Sequence, residues 1–222
     1  VPASGGAANR LTALDGAESH PRISPDGKTL AFTSRQYGNA DVYVMPLAGG
    51  PITQLTFHEA NDEVTNWSWD SETIYLTSNR YNRVTTFTIP ATGGTPKRMM
   101  DHYFNITHNV TPLPGSTAFL FNESWESSIF THRKGYVGPY NPDLKRYDPK
   151  TGKLDKLTDW EGKDMWPLAD EKGNVFFVSD RDNGEYNLYS LTKDGKAKRL
   201  TKHKTSVFNP TISAVGITIA YV

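Results

Sequence analysis

Short runs in which apolar and polar residues alternate, or in which β-branched and aromatic residues follow one another, recur along the whole chain. Ser24 to Ser34 reads SPDGKTLAFTS and is followed by DVYVMPLAGGPITQLT over Asp41 to Thr56. The same grammar returns as SWDSETIYLTS (Ser68 to Ser78) and TTFTIPATGGTPKRMM (Thr85 to Met100). It appears again over Glu171 to Thr201, and once more as SAVGITIAYV (Ser213 to Val222). Each run is bounded by Gly, Pro, Asp or Asn, and no stretch carries the 3.6-residue period of a helix, so the pattern predicts strands joined by tight turns. Pro25 to Lys28 (PDGK) is a hairpin turn in which Pro fixes φ and Gly supplies a positive one. Gly49-Gly50 and Gly93-Gly94 are two-glycine turns between a third and a fourth strand.

The runs are periodic. The apolar residue closing each copy is Leu11, Leu55, Met99, Leu157 and Leu200, at intervals of 44, 44, 58 and 43 residues, and the long interval is one period plus about 14 inserted residues. The residue after each of these lies 15 positions before a turn residue: Thr12 to Gly27, Thr56 to Ser71, Met100 to Gly115, Thr158 to Gly173 and Thr201 to Gly216. Four strands in about 40–45 residues is the arithmetic of a β-propeller blade. One blade leaves two apolar faces bare, so blades must stack around an axis. The expected inner packing residues are Ile23, Leu30, Phe32, Ile74, Leu76, Phe119, Phe121, Phe176, Val178 and Ile219.

The fold class predicted is therefore all-β, a propeller of four-stranded antiparallel blades. It comprises a half blade over 1–17, full blades over 18–60, 61–104, 105–160 and 161–203, and a half blade over 204–222. Four full blades plus two half blades would close as five if the ends pair, which removes open sheet edges. A start in mid-blade at Val1-Pro2 reads as a segment of something longer.

Composition narrows the function. The 222 residues balance 24 Lys+Arg against 24 Asp+Glu, which argues against a nucleic-acid groove. No apolar run approaches 18 residues, so no helical membrane insertion is predicted. The absence of Cys removes thiolate metal sites and a cysteine nucleophile. The chain contains no G-x-S-x-G, H-E-x-x-H, G-x-x-x-x-G-K-[ST] or G-x-G-x-x-G, so no catalytic, cofactor-binding or metal residue is assigned.

The SPDGK…AF.S / D.Y.MP..GG…LT grammar resembles the Tol-type propeller repeat of TolB, of prolyl-oligopeptidase-like enzymes and of tricorn-type proteases. Two segments point to the tricorn type: Leu55 to Arg80, with its His, acidic loop and W-S-x-D turn, and His132 to Pro167, with GYVGPYNPDL and EGKDMWP. The resemblance implies the N-terminal propeller of a tricorn-type serine peptidase, itself not an enzyme, whose nucleophile lies in other domains. It acts as a substrate gate or docking scaffold, with the catalytic domains of the parent peptidase or a peptide substrate as partner. A TolB-like interaction propeller without a protease, and a carbohydrate or small-ligand propeller, are the alternatives. The resemblance also implies a bacterial periplasmic or other extracytoplasmic setting, with the cytoplasm as the other option.

Two places could carry binding. The second-to-third-strand and blade-to-blade connections emerge on one face of an up-and-down blade, and the latter ring the channel mouth. Six residues past each closing Thr or Met stand Glu18, Asp62, Ile106, Asp164 and Val207; two further on stand His20, Val64, His108, Trp166 and Asn209. Glu18, His20, Asp62, His108, Asp164 and Trp166 are the candidate channel-mouth residues, for a cation or a peptide amino terminus; the plainer reading is that the acids hold neighbouring backbone. The insertion, Glu123 to Asp143, is the candidate docking loop. It groups Trp125, Phe130, Tyr136 and Tyr140 with His132, Arg133 and Lys134, and its plainer reading is a loop that packs its own aromatics over the blade edge. The six histidines (His20, His58, His102, His108, His132, His203) form no helical pair. Asn66, Asn105, Asn109 and Asn122 begin N-x-[ST] triplets, which arise easily by chance. Trp67, Trp69, Trp160 and Trp166 fall at blade joins, where packing is the expected role.

Overall fold

The computed structural model describes residues 5–81, 83–100, 106–213 and 218–222. His102, Asn105 and the turn position Gly216 lie outside them. Four antiparallel sheets of four strands follow one another along the chain. Blade 1 consists of β1 (Glu18–Ile23), β2 (Thr29–Ser34), β3 (Asp41–Pro46) and β4 (Thr53–Gln54). Blade 2 holds β5 (Asp62–Trp67), β6 (Thr73–Ser78), β7 (Thr85–Pro90) and β8 (Lys97–Arg98). Blade 3 holds β9 (His108–Pro112), β10 (Phe119–Asn122), β11 (Lys145–Asp148) and β12 (Lys153–Lys156). Blade 4 holds β13 (Asp164–Ala169), β14 (Val175–Asp182), β15 (Glu185–Leu191) and β16 (Ala197–Arg199). A two-stranded half blade, β17 (Thr211–Ile212) and β18 (Ile219–Ala220), completes the chain.

Local chemistry repeats with the sheets. In the first hairpin Gly27 takes φ +73°, the Gly27 N–H donates to Ser24 O at 2.9 Å, and Ser24 Oγ donates to Asp26 Oδ1 at 2.6 Å. Ser71 occupies the glycine position of blade 2 at φ +64°, and its Oγ accepts the Asp26 N–H of the neighbouring turn at 3.1 Å. The threonine closing a blade fastens the start of its third strand. Thr56 Oγ1 donates to Asp41 Oδ1 (2.9 Å) and accepts the Val42 N–H (3.0 Å). Thr201 does the same with Asn187 Oδ1 (2.9 Å) and the Leu188 N–H (3.0 Å).

The core lies between blades. Ala31, Val42 and Leu55 of blade 1 meet Val64, Trp67, Ile74, Leu76, Phe87 and Ile89 of blade 2, all buried. Val110, Phe119 and Phe121 join blades 2 and 3 through Tyr75, Met99 and Met100. Leu144 and Leu157 meet Phe177 and Tyr189 between blades 3 and 4, and Val207, Phe208 and Ile219 seat the half blade on blade 4. Trp67 Nε1 donates to Arg22 O and Trp69 Nε1 to Pro112 O, each at 2.9 Å, so both indoles staple adjacent blades.

Three expectations are corrected. Residues 5–17 form no strand, so the chain has one half blade, not two, and no pairing of the ends into a fifth blade is seen among the described residues. A fourth strand needs a third strand to accept its N–H groups, and no strand among the described residues pairs with 5–17. Thr12 Oγ1 instead donates to Glu18 Oε2 at 2.6 Å. Gly5 and Gly6 still take φ +84° and +133°, close to Gly49 and Gly50 at +93° and +144°. Ile23, expected inside, is 55% exposed. It pairs with Leu30 on the blade 1 face opposite blade 2, where only Leu14, Leu47 and Ile52 join Leu30, Phe32, Tyr43 and Met45. Phe176 is half-buried, and its neighbour Phe177 takes the fully buried position.

Candidate functional site

The residues aligned at the channel mouth are not equivalent in space. Each innermost strand is bulged, between Ser19 and Arg22 in β1, Val64 and Asn66 in β5, and Met165 and Leu168 in β13. His20, Asn109, Trp166 and Asn209 take φ values of 51°, 53°, 50° and 47°, a region costly for non-glycine residues. Glu18 and His20 are exposed, His20 Nδ1 lying 3.0 Å from Ser19 Oγ. Asp62 and Asp164 are fully buried. Arg80 Nη2 reaches Asp62 Oδ2 at 2.5 Å, and Arg181 Nη2 spans both Asp164 oxygens at 2.7 and 2.8 Å. Burial still raises Asp164 above the ordinary carboxylate range, against the pull of Arg181. Trp166 packs edge-on to Tyr186 and Phe208. His108 is 2% exposed, its Nε2 has no hydrogen-bond partner among the described residues, and burial lowers its pKa from 6.5 to about 4.

The arginines carry a signal the ring alignment alone does not use. Each stands two residues after a serine of the second strand, Arg80 after Ser78 at the end of β6 and Arg181 after Ser179 within β14, and both arginines bond that serine's Oγ through Nε at 3.0 and 2.9 Å. In the other blades this position is Gln36 or Ser124, and the residue paired opposite Ser34 or Asn122, where the buried acid stands in blades 2 and 4, is Glu18 or His108. A buried Asp and its Arg are present together or absent together, as expected of a charge that must be paired once desolvated. In blade 3, Asn122 replaces the serine. It is fully buried; its Nδ2 donates to Asp143 O (2.8 Å) and Asp164 O (3.0 Å), and its Oδ1 accepts the Trp166 N–H (3.2 Å). Asn66 and Asn109, which also begin N-x-[ST] triplets, are half-buried.

The insertion between β10 and β11 is a strap tied to its neighbours. A 3-10 turn, Trp125–Ser127, buries Glu126. Glu126 Oε2 accepts from Lys163 Nζ at 2.8 Å, and Lys163 is 0% exposed. The remaining Lys163 donors go to Phe130 O (2.7 Å) and Glu126 O (3.4 Å), so the whole ammonium is held by strap atoms. Burial nonetheless lowers the Lys163 pKa below its ordinary value, Glu126 opposing the shift. Arg133 also pairs with Glu126 and stacks between Tyr136 (4.3 Å) and Phe130 (5.3 Å). Lys134 Nζ reaches Glu185 Oε2 at 2.8 Å, and Tyr186 OH donates to Arg133 O at 3.1 Å. Arg83 of blade 2 stacks on Trp125 at 5.4 Å. The strap of blade 3 therefore grips blades 2 and 4. Ile129, Phe130, Val137 and Tyr140 remain 42–66% exposed, and His132 is exposed. Lys163, Glu126 and Glu185 had no motif to announce them, and Asn122 only a triplet that arises easily by chance; each matters through a partner distant in sequence.

Among the described residues no group of three or more His, Asp and Glu side chains is placed to hold a metal ion, and no helix is long and apolar enough to cross a membrane.

No curated protein matches the sequence. Solved structures share the fold. A putative TolB from Agrobacterium tumefaciens superposes with TM-score 0.71 at 22% identity, covering 93% of this chain and 69% of its own. TolB from Acinetobacter baumannii gives 0.71 at 20% identity, over 92% of this chain and 48% of its own. The tricorn protease gives 0.75 at 15% identity, over 95% of this chain but only 21% of its own length. The profile described as the tricorn protease N-terminal beta propeller domain matches residues 1–204. With the repeat, the sheet order and this match in agreement, the chain belongs to the tricorn protease N-terminal β-propeller family.

Proposed function

We propose that this propeller is a non-catalytic scaffold that docks protein through one face, the face formed by the second-to-third-strand and blade-to-blade connections. The carrying observation is where large apolar side chains meet solvent. Tyr37 (70%), Phe57 (78%) and Tyr81 (60%) lie in those connections, as do Ile129, Phe130, Val137 and Tyr140 of the strap. Among the described residues the opposite face carries fewer, Ile23 and Leu154 at the strand ends beside its hairpin turns, and none within turns such as 24–28, 68–72 or 91–96. Large apolar side chains exposed together on one face are what a protein interface offers before its partner arrives. The buried Asp–Arg pairs support a structural role for Asp62 and Asp164, with Glu18 and His20 the exposed members through which the channel mouth meets a ligand.

The partner class follows from the family: peptidase domains of a tricorn-type enzyme, or a peptide on its way to them. An extracytoplasmic setting belongs to the same proposal. The test is association in trans with tricorn-type peptidase domains, followed by calorimetry. Combining Tyr37→Ser, Phe57→Ser and Tyr81→Ser should weaken binding by about tenfold or more, roughly 1.4 kcal/mol. Lys28→Ser, Glu72→Ser and Lys150→Ser on the opposite face should leave it unchanged. Equal effects of the two sets would refute the assignment of the face. A TolB-like role without a peptidase uses the same face and is favoured if peptidase domains do not bind while that face still does.

A further inference from the structure

A cavity of about 370 Å³ opens at the root of the strap, between its two ends and the outer strands of blade 3. Its size lies in the usual range for small-molecule sites, about 300–1,000 Å³. Glu123 and Ser124 line it from the start of the strap, Tyr140 and Asp143 from the end, and Lys145 and Lys156 from β11 and β12. We propose that it binds a neutral polyhydroxyl ligand, a mono- or disaccharide.

The charge balance selects the class. Lys145 pairs with Glu123, and Lys156 Nζ lies 2.9 Å from Asp143 Oδ2. Two carboxylates and two ammonium groups cancel, so the cavity attracts neither an anion nor a cation by net charge. What the pairing leaves is a set of fixed acceptors and donors close together. Adjacent sugar hydroxyls each donate and accept at once, and such a mixed wall satisfies both. The Ser124 side chain is a second, independent observation. Ser124 is 9% exposed, and its Oγ has no hydrogen-bond partner among the described residues. That oxygen is closed off from solvent, so a ligand hydroxyl meets it only when the Ser124 side chain turns towards the cavity, which would relieve the cost of the unmade bond. Tyr140, 60% exposed, offers its ring to the C–H face of a pyranose.

The walls are preorganised. Asn122 Nδ2 holds Asp143 O at 2.8 Å, Asn141 Nδ2 holds Trp160 O at 2.6 Å, and the Asp164 N–H donates to Pro142 O at 2.9 Å. A ligand would therefore meet a fixed site and not have to order one. The site lies on the proposed docking face and shares Tyr140 with it, but it uses none of Tyr37, Phe57 and Tyr81. The triple substitution at those three residues should therefore leave sugar binding unchanged, which distinguishes failure of one reading from failure of the other.

The experiment is NMR titration of the whole 222-residue chain with methyl glycosides of glucose, galactose, mannose and N-acetylglucosamine, and with maltose and cellobiose. Glycine and acetate serve as zwitterion and anion controls. The expected result is that at least one sugar shifts the amides of Ser124, Asn141 and Lys145 with millimolar affinity, as one small polar ligand allows. Tyr140→Ala and Ser124→Ala should each weaken that binding, Tyr140→Ala by about tenfold. Because Tyr140 is largely exposed, its substitution leaves the fold intact. No shift by any sugar up to ~50 mM, five-fold or more above a ~10 mM Kd, overturns the proposal. Equal shifts by glycine or acetate overturn it too, as does unchanged sugar binding in Tyr140→Ala.

Discussion

Glu126→Gln is the sharpest perturbation of this molecule, because one carboxylate of the strap holds both Lys163 of blade 4 and the strap's own Arg133. The substitution keeps shape and volume and removes one charge. It leaves Lys163, with no exposed surface, facing a neutral amide at 2.8 Å. Breaking a buried pair by removing one partner costs about 3–5 kcal/mol, since the surviving charge stays desolvated. Arg133, half exposed, recovers solvation on its own and adds little. The loss has two outlets. If strap and blades unfold together, the urea midpoint falls with unchanged m; if the strap lets go first, the midpoint holds while strap amides exchange faster. Hydrogen exchange should therefore be read at Ser127, Ile129 and Phe130, whose N–H groups bond within the strap to Ser124 O and Trp125 O. The double variant Glu126→Gln with Lys163→Met removes the orphan charge and should recover at least about 2 kcal/mol of the sum of the single losses, a coupling typical of contacting charges. If Glu126→Gln changes neither the midpoint, by more than about 1 kcal/mol, nor exchange in the strap, then the pair does not anchor it, and the reasoning from burial fails.

Other consequences can be checked in the same assays. Arg181→Met should cost about 3–5 kcal/mol by orphaning buried Asp164, whereas Arg35→Met, whose pair with Glu63 is exposed at 3.5 Å, should cost under about 1 kcal/mol. Asn122→Ala strips hydrogen bonds from the end of the strap at Asp143 and from Asp164 and Trp166 of β13 at once, and should cost about 2–4 kcal/mol by denaturation, more than an average single substitution. His108 is held neutral, with its pKa lowered from 6.5 to about 4, so its contribution is intact above pH 6.5 and is lost as the pH falls towards 4. The unfolded chain binds this proton more readily, so acidification through that window removes about 3 kcal/mol, and His108→Gln should flatten that part of the stability–pH curve. Ala at Gly162 would place a Cβ 2.3 Å from Asp180 Oδ1 and 2.5 Å from Trp160 Nε1. It should break that 2.9 Å indole–carboxylate bond, which tryptophan fluorescence reports.

Much of the architecture was legible because a propeller is written in its period. The spacing of Leu11, Leu55, Met99, Leu157 and Leu200 located the four blades, and the PDGK and Gly-Gly turns marked their hairpins. The inner apolar residues followed from strand alternation, except where a neighbouring blade was needed to bury them. Ile23 has the right residue type and strand position, yet no blade among the described residues covers its side of β1. The N-terminal segment keeps the glycine conformations of a third-to-fourth-strand turn but forms no strand, since pairing requires a partner that local sequence cannot supply.

The functional residues divide in the same way. By itself the sequence determined strand, turn and repeat, which depend on contacts within a blade and on backbone preferences. It also placed the insertion on the connection-bearing face, because chain direction fixes which end each loop leaves. Only the tertiary structure decided that Asp62 and Asp164 are buried and paired while Glu18 meets solvent, although all three align in the repeat. Only it showed that Lys163 of one blade holds Glu126 of another, leaving Ser124 and Tyr140 around a cavity. Burial and charge pairing are properties of neighbours brought together by the stacking of blades, and they set whether the same carboxylate binds a partner or holds the fold.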